Sequence, residues 1–239
     1  MDGFSYNNIF DTKGIEYLII IAFLILIIPF WIIINKRAAI GATIKKTLGI
    51  LSSAVLKIPL GVYYSKNHTW TYMEKSGSAK VGLDDLLLHI TGEVKVNPIK
   101  AKGDFVRKGD VIAEITQKDK NLRILSPISG EVLSINSSIA EDPGLLNDDP
   151  YGRGWIYNMK PSSWVADTSC CFIAEDAVEW SKRELGRFKD FLGEVAFRQS
   201  PESSMLILQD GGELCDKPLS ELPEEVWREF EKSFLDLAG

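Results

Sequence analysis

Cysteine and histidine are scarce in this chain: three and two, respectively, in 239 residues. Cys170, Cys171 and Cys215 contain no C-x-x-C spacing, which argues against a structural zinc site or a dithiol redox motif. Three thiols so placed make no disulfide framework and are expected to stay reduced, a vicinal disulfide or cluster ligand being the lesser alternative. With only His68 and His89 there is no H-E-x-x-H pair and no Ser/His/Asp order. No Walker motif occurs, and Gly152-Arg153-Gly154 is a lone pair of glycines rather than a dinucleotide fingerprint. His68 reads as a strand-edge residue satisfied by hydrogen bonds. No catalytic residue and no metal ligand is assigned, and the chain is expected to carry no chemistry of its own.

Acidic residues are absent from residues 17–73, which carry six bases. The remainder is strongly acidic, which speaks against nucleic acid as a partner of the globular part. Within the acid-free stretch, Tyr17 to Ile34 is uncharged and almost wholly Leu, Ile and Phe. Its length approaches the ~20 residues that span hydrocarbon as a helix. Lys36-Arg37 closes it, with Pro29 as a possible kink and Trp31 as an interfacial ring. Acids before the run and bases after it predict a single-pass anchor in the cell (inner) membrane, N-terminus outside and globular part cytoplasmic. Ala38 to Lys57 repeats Ile40, Ile44, Leu48, Leu51 and Val55 at helical spacing. This reads as a basic amphipathic helix on lipid headgroups, or as a helix packed on the domain that follows.

The stretch from Gly103 to Asn136 organises the rest. Val111 to Ile115 and Leu122 to Leu125 are short apolar-rich runs, and Gln117-Lys118-Asp119-Lys120-Asn121 between them has turn chemistry. Together they predict a β-hairpin. Ser126-Pro127 breaks the ladder, and Glu131 to Ile135 is a further strand. Gly92 to Asn97 echoes Gly130 to Asn136, suggesting two similar β half-units. Val62 to Trp70 and Thr71 to Val81 alternate as strands about a turn at Lys75 to Ser78, and Asp84 to His89 suits one or two helical turns. The carboxylates between Glu141 and Asp149 sit among Asp-Pro pairs, which initiate turns more often than they hold a cation.

The run GD-x-V-x-x-GD through SP-x-SGEV resembles the lipoyl and biotinyl carrier domains. With His68-Thr69-Trp70, Ala79 to Leu83 and Asn136 to Trp155, it resembles specifically the H protein of the glycine cleavage system, over roughly Gly61 to Trp164. The resemblance implies a flattened β-barrel/sandwich hybrid of the lipoyl-domain type. It also implies a lipoyl-lysine at the hairpin tip, eight residues before the proline of SP. Counting back from Pro127, or forward from Gly109-Asp110, puts Asp119 there with no gap. Lys118 and Lys120 are each one residue out of register, and a one-residue slip turns a side chain to the other face. No cofactor is therefore expected, with lipoate on Lys118 or Lys120 as the alternative.

Beyond Trp164 the resemblance ends. Ala174 to Leu192 is amphipathic, with Ala177, Trp180, Leu185, Phe188, Phe191 and Leu192 on one face and Gly193 as its stop. Met205 to Leu208 with Asp210-Gly211-Gly212 suggests a small hairpin. Pro223 starts a second helix whose face is Val226, Trp227, Phe230, Phe234 and Leu237.

The predicted fold is thus mainly β, with an N-terminal transmembrane helix and a C-terminal α+β appendage. Its segments are a tail at 1–16, an anchor at 17–35, a basic juxtamembrane stretch at 36–60, the H-protein-like domain at 61–165 and an α-β-β-α appendage at 166–239. Three roles follow. One is a membrane-anchored, non-catalytic adaptor that binds a protein complex through 166–239 and the barrel surface. The second is a lipoyl carrier of a glycine cleavage-type system, and the third a structural subunit of a respiratory or transport assembly.

Overall fold

The structure is a computed structural model and describes residues 17–31, 50–199 and 214–235. It divides into two units, Met1–Leu48 and Gly49–Gly239. In the first, residues 17–31 form helix α1. No helix among the described residues is long and apolar enough to cross a membrane. At 1.5 Å per residue, 17–31 extends only about 22 Å against a hydrocarbon core of about 30 Å. This corrects the transmembrane helix over 17–35, and the membrane localisation, topology and membrane partner inferred from it are withdrawn with it. Residues 1–16 and 32–49, which include most of the expected juxtamembrane helix, lie outside the described residues.

The second unit is built on two sheets. The larger has six strands and the smaller three. In the larger, Tyr63–Tyr64 (β2), Thr69–Met73 (β3) and Ala79–Leu83 (β4) form a meander. Trp155–Pro161 (β10) joins β4, Gly130–Ile135 (β9) joins β10, and Phe105–Val106 (β6) covers the far edge. The smaller sheet holds Lys95–Pro98 (β5), Val111–Gln117 (β7) and Lys120–Leu125 (β8). The two halves that echo each other in sequence therefore lie in different sheets, β5 in one and β9 in the other.

Two glycines set close approaches. A Cβ on Gly82 would stand 2.7 Å from the Trp70 ring, its cross-strand partner, so glycine lets the indole lie flat on β4. A Cβ on Gly130 would stand 2.3 Å from the Lys160 carbonyl oxygen across the β9–β10 ladder.

Asp85–Thr91 (α2) is capped by Asp84, whose carboxylate accepts the Leu87 amide at 2.8 Å. Ser138–Glu141 (α3) and Leu145–Asp148 (α4) occupy the acidic loop. There Asp149 accepts the Gly152 and Arg153 amides, a turn-forming use of its carboxylate.

After β10, Trp164–Thr168 (α5) leads to Ala174–Gln199 (α6). The helix does not stop at Gly193, because Val195 beyond it is buried in the common core and packing outweighs the glycine. Glu224–Phe230 (α7) begins after Pro223 and runs on as a π-helical turn, Glu231–Leu235. The expected hairpin at 205–212 and Leu237 lie outside the described residues. Leu214–Cys215 (β11) pairs instead with Ile50–Leu51 (β1), where the juxtamembrane helix was expected to continue. The described part of the C-terminal segment docks on the barrel. Phe188, Trp227, Phe230 and Phe234 are buried in one cluster with Ile115, Leu122 and Ile124 of the hairpin. Phe230 and Phe234 stack at 4.8 Å, with Phe188 edge-on to both.

Candidate functional site: the hairpin tip and its cover

β7 and β8 pair from Val111↔Leu125 to Gln117↔Lys120, so the loop is only Lys118 and Asp119. The turn chemistry suggested Gln117 to Asn121; the ladder takes up Gln117 on one side and Lys120 and Asn121 on the other. Lys118 takes the left-handed conformation (φ 55°) that a two-residue hairpin demands and that a non-glycine side chain adopts at some cost. Gln117 anchors one side of the tip: its Nε2 donates to the Thr91 and Glu93 carbonyls, each at 2.9 Å.

The structure separates the three tip residues. Lys118 and Asp119 are exposed, while Lys120 is half-buried. Lys120 Nζ donates to the carbonyls of Ser220 (2.6 Å) and Leu222 (2.9 Å) and stands 5.1 Å from the centre of the Trp227 ring. Trp227 is itself fixed, its Nε1–H donating to Leu219 O at 2.7 Å. Three residue pairs further along the ladder, Arg123 Nε donates to Glu231 at 2.7 Å, and the Arg123 amide meets the same carboxylate oxygen. The C-terminal segment thus covers β8 and takes up the Lys120 ammonium. Desolvation, and secondly the charge on Lys118, pull the Lys120 pKa below the usual lysine range. Lys118 and Lys120 are alike in the sequence; nothing in local periodicity signals that a segment 100 residues on claims one of them.

A groove of about 800 Å³ runs along the Lys118 side of the tip, between the edge of the smaller sheet and the α3–α4 loop. Glu93, Lys95, Gln117, Asp142 and Asp148 line it with Lys118. Among the described residues no three His, Cys, Asp or Glu side chains gather in a way that could hold a metal ion.

His68 is a second residue whose setting was not legible in the sequence. It is wholly buried, not at a strand edge, with φ 57°. Its Nδ1 lies 2.8 Å from Asp84 Oδ2, and its Nε2 faces Glu184 of α6 at 4.0 Å. Trp180 and Phe234 flank the ring. Burial pulls its pKa down, but Asp84 and Glu184 outweigh that and the net direction is upward. With no exposed surface and with Asp84 on one side and Glu184 on the other, the imidazole joins the body to α6.

Two small sheets with a tight hairpin projecting from one of them define the class of carrier-type β domains. The glycine cleavage H-protein family model matches residues 62–184, and the chain belongs to that family. The glycine cleavage system H protein of Psychrobacter cryohalolentis is 33% identical over 119 residues, covering 50% of this chain and 94% of that protein. The probable glycine cleavage system H protein of Thermococcus gammatolerans is 36% identical over 107 residues, covering 45% and 79%. A solved glycine cleavage system H protein from Mycobacterium marinum aligns at 25% identity with a TM-score of 0.41, covering 44% of this chain and 87% of that one. H proteins are carrier-type components of a multienzyme system and are not themselves catalysts.

The lipoyl group that the family implies can be tested against these residues. Asp119 has no amine and cannot form the amide, and the Lys120 amine is engaged by two carbonyls and an indole. The register position does not fit the group.

Proposed function

We propose that this chain is a non-catalytic docking module of the H-protein type, which presents its hairpin tip to a protein partner without a lipoyl arm. The observation that carries the reading is Asp119: a carboxylate stands at the tip where the family resemblance puts the modified amine. What remains is a rigid two-residue turn, a groove beside it, and a body stiffened by the C-terminal segment. These suit recognition and not transport of a bound intermediate. The partner is a component of a glycine cleavage-type multienzyme system, the setting that the names of the relatives supply. Most of the aromatic faces of α6 and α7 are used up against the body, so the tail contributes to partner binding through its outer surface.

A second reading is carriage of lipoate on Lys118. It is favoured by the exposure of Lys118 at the tip and its place on the rim of the groove. Intact mass of the full chain made in a lipoylating cell decides between them. The docking reading expects no lipoyl mass on the native protein and one lipoyl unit on Asp119→Lys. A lipoyl unit mapped to Lys118 of the native chain overturns the docking reading in favour of carriage.

A further inference from the structure

Away from the hairpin tip, three reactive side chains converge on one backbone carbonyl, and no part of the reading above uses them. Lys108, in the turn between β6 and β7, donates from Nζ to the Asp167 carbonyl at 2.7 Å, near the C-terminal end of α5. The same carbonyl lies 3.9 Å from Cys170 Sγ and 3.8 Å from Cys171 Sγ. Lys108 Nζ is 2.8 Å from Cys170 Sγ, so amine and sulfur are already in contact. The arrangement is braced from both sides: the Lys108 amide donates to Ser129 Oγ, and the Ser129 amide donates to the buried Asp167 carboxylate. Cys170 is exposed and open to a small oxidant, while Cys171 is half-buried.

We propose that Lys108 and Cys170 form an oxidant-driven, reducible sulfur–nitrogen bridge that ties the β6–β7 turn to the end of α5. The oxidant is a peroxide. Hydrogen peroxide converts the Cys170 thiol to a sulfenic acid and is reduced to water, the sulfur giving up two electrons to the breaking O–O bond. The Lys108 ammonium releases a proton to solvent, and its nitrogen attacks the sulfenic sulfur. The S–O bond breaks, hydroxide leaves as water with a second amine proton, and an S–N bond remains. The net change is loss of two hydrogens from the protein for one peroxide reduced to two waters.

Contact between the reacting atoms makes the second step intramolecular and fast relative to capture by an outside nucleophile. The competing partner is Cys171, next in the chain. Burial, and secondly Cys170 beside it, push the Cys171 thiol up to about 11, so little of it is the thiolate that would attack a sulfenic sulfur.

The test treats the full chain with hydrogen peroxide, blocks remaining thiols, and reads intact mass and proteolytic peptides before and after dithiothreitol. The expected product has lost two hydrogens, yields a cross-linked peptide joining Lys108 to Cys170, and reverts with dithiothreitol. Cys171→Ser should still form it; Lys108→Arg should not, and should accumulate oxygenated Cys170 instead. A two-hydrogen loss that survives in Lys108→Arg and vanishes in Cys171→Ser is a vicinal disulfide and overturns the proposal. So does oxygenated Cys170 with no cross-linked peptide in the native chain, or a cross-link heavier by one oxygen atom.

Discussion

Substituting Trp227 by alanine tests the cover over the hairpin tip more directly than any other change. Trp227 is fully buried, donates to Leu219 O and forms the roof over Lys120. In the native chain the Lys120 ammonium gains two carbonyl bonds and a cation–π contact. Charged hydrogen bonds are worth about 1.5–3 kcal/mol each, discounted here because the amine is only half-buried. A net hold of about 2 kcal/mol slows acylation of that amine by on the order of 30-fold. Lys118, two residues away on the same turn and exposed, is the internal control.

The assay is competitive labelling with a small activated ester at fixed pH, read lysine by lysine by mass spectrometry. The lowered pKa of Lys120 by itself raises its neutral fraction and would speed labelling, so slower labelling reports the contacts and the burial that hold the amine. Trp227→Ala should remove most of the protection and, as a large-to-small change in a packed core, cost about 3–5 kcal/mol in urea unfolding. If Lys120 of the native chain labels as fast as Lys118, the C-terminal segment does not hold the tip and the argument fails.

Stability should fall as pH rises from mildly acid to alkaline. His68 and His89 both have folded pKa values raised above 6.5, by Asp84 and Glu184 in one case and by Asp85 and Asp216 in the other, each against the opposing pull of burial. Their contribution is complete below the unfolded value and is lost as pH climbs through the raised folded values. Urea midpoints measured across that range should show the decline, and His68→Gln should flatten its share; a profile unchanged by that variant would contradict the buried Asp84–His68 link. Gly130→Ala should cost about 1–3 kcal/mol, because a Cβ there meets a backbone oxygen in the paired strand that cannot swing aside. A thermal midpoint matching the native chain would show that β9 and β10 are not in this register.

The hairpin was legible from the chain alone because its determinants are local. Alternation in Val111 to Ile115 and Leu122 to Leu125 places one face inward, and the polar run between them can only turn. The family resemblance puts Asp119 at the modified register, reached without a gap from Gly109 and from Pro127, and in the structure Asp119 lies in the two-residue turn. Helices α6 and α7 were equally legible, because 3.6-residue periodicity is a property of the segment itself. Periodicity identifies an apolar face without saying what will cover it. That Trp227 roofs Lys120, that Glu184 of α6 meets His68 of the β2–β3 turn, and that Leu214–Cys215 pairs with Ile50–Leu51 depend on which surfaces fit once the sheets exist. The two-residue strands β1 and β11 are too short to leave any pattern of their own. Apolar composition at 17–34 likewise suggests a span, but the helix described there, residues 17–31, is too short to cross a bilayer. Sequence determined the fold family and the residue at the tip; tertiary packing alone decided that one of the two flanking lysines is held and the other exposed, because that choice is made by a contact across 100 residues of chain.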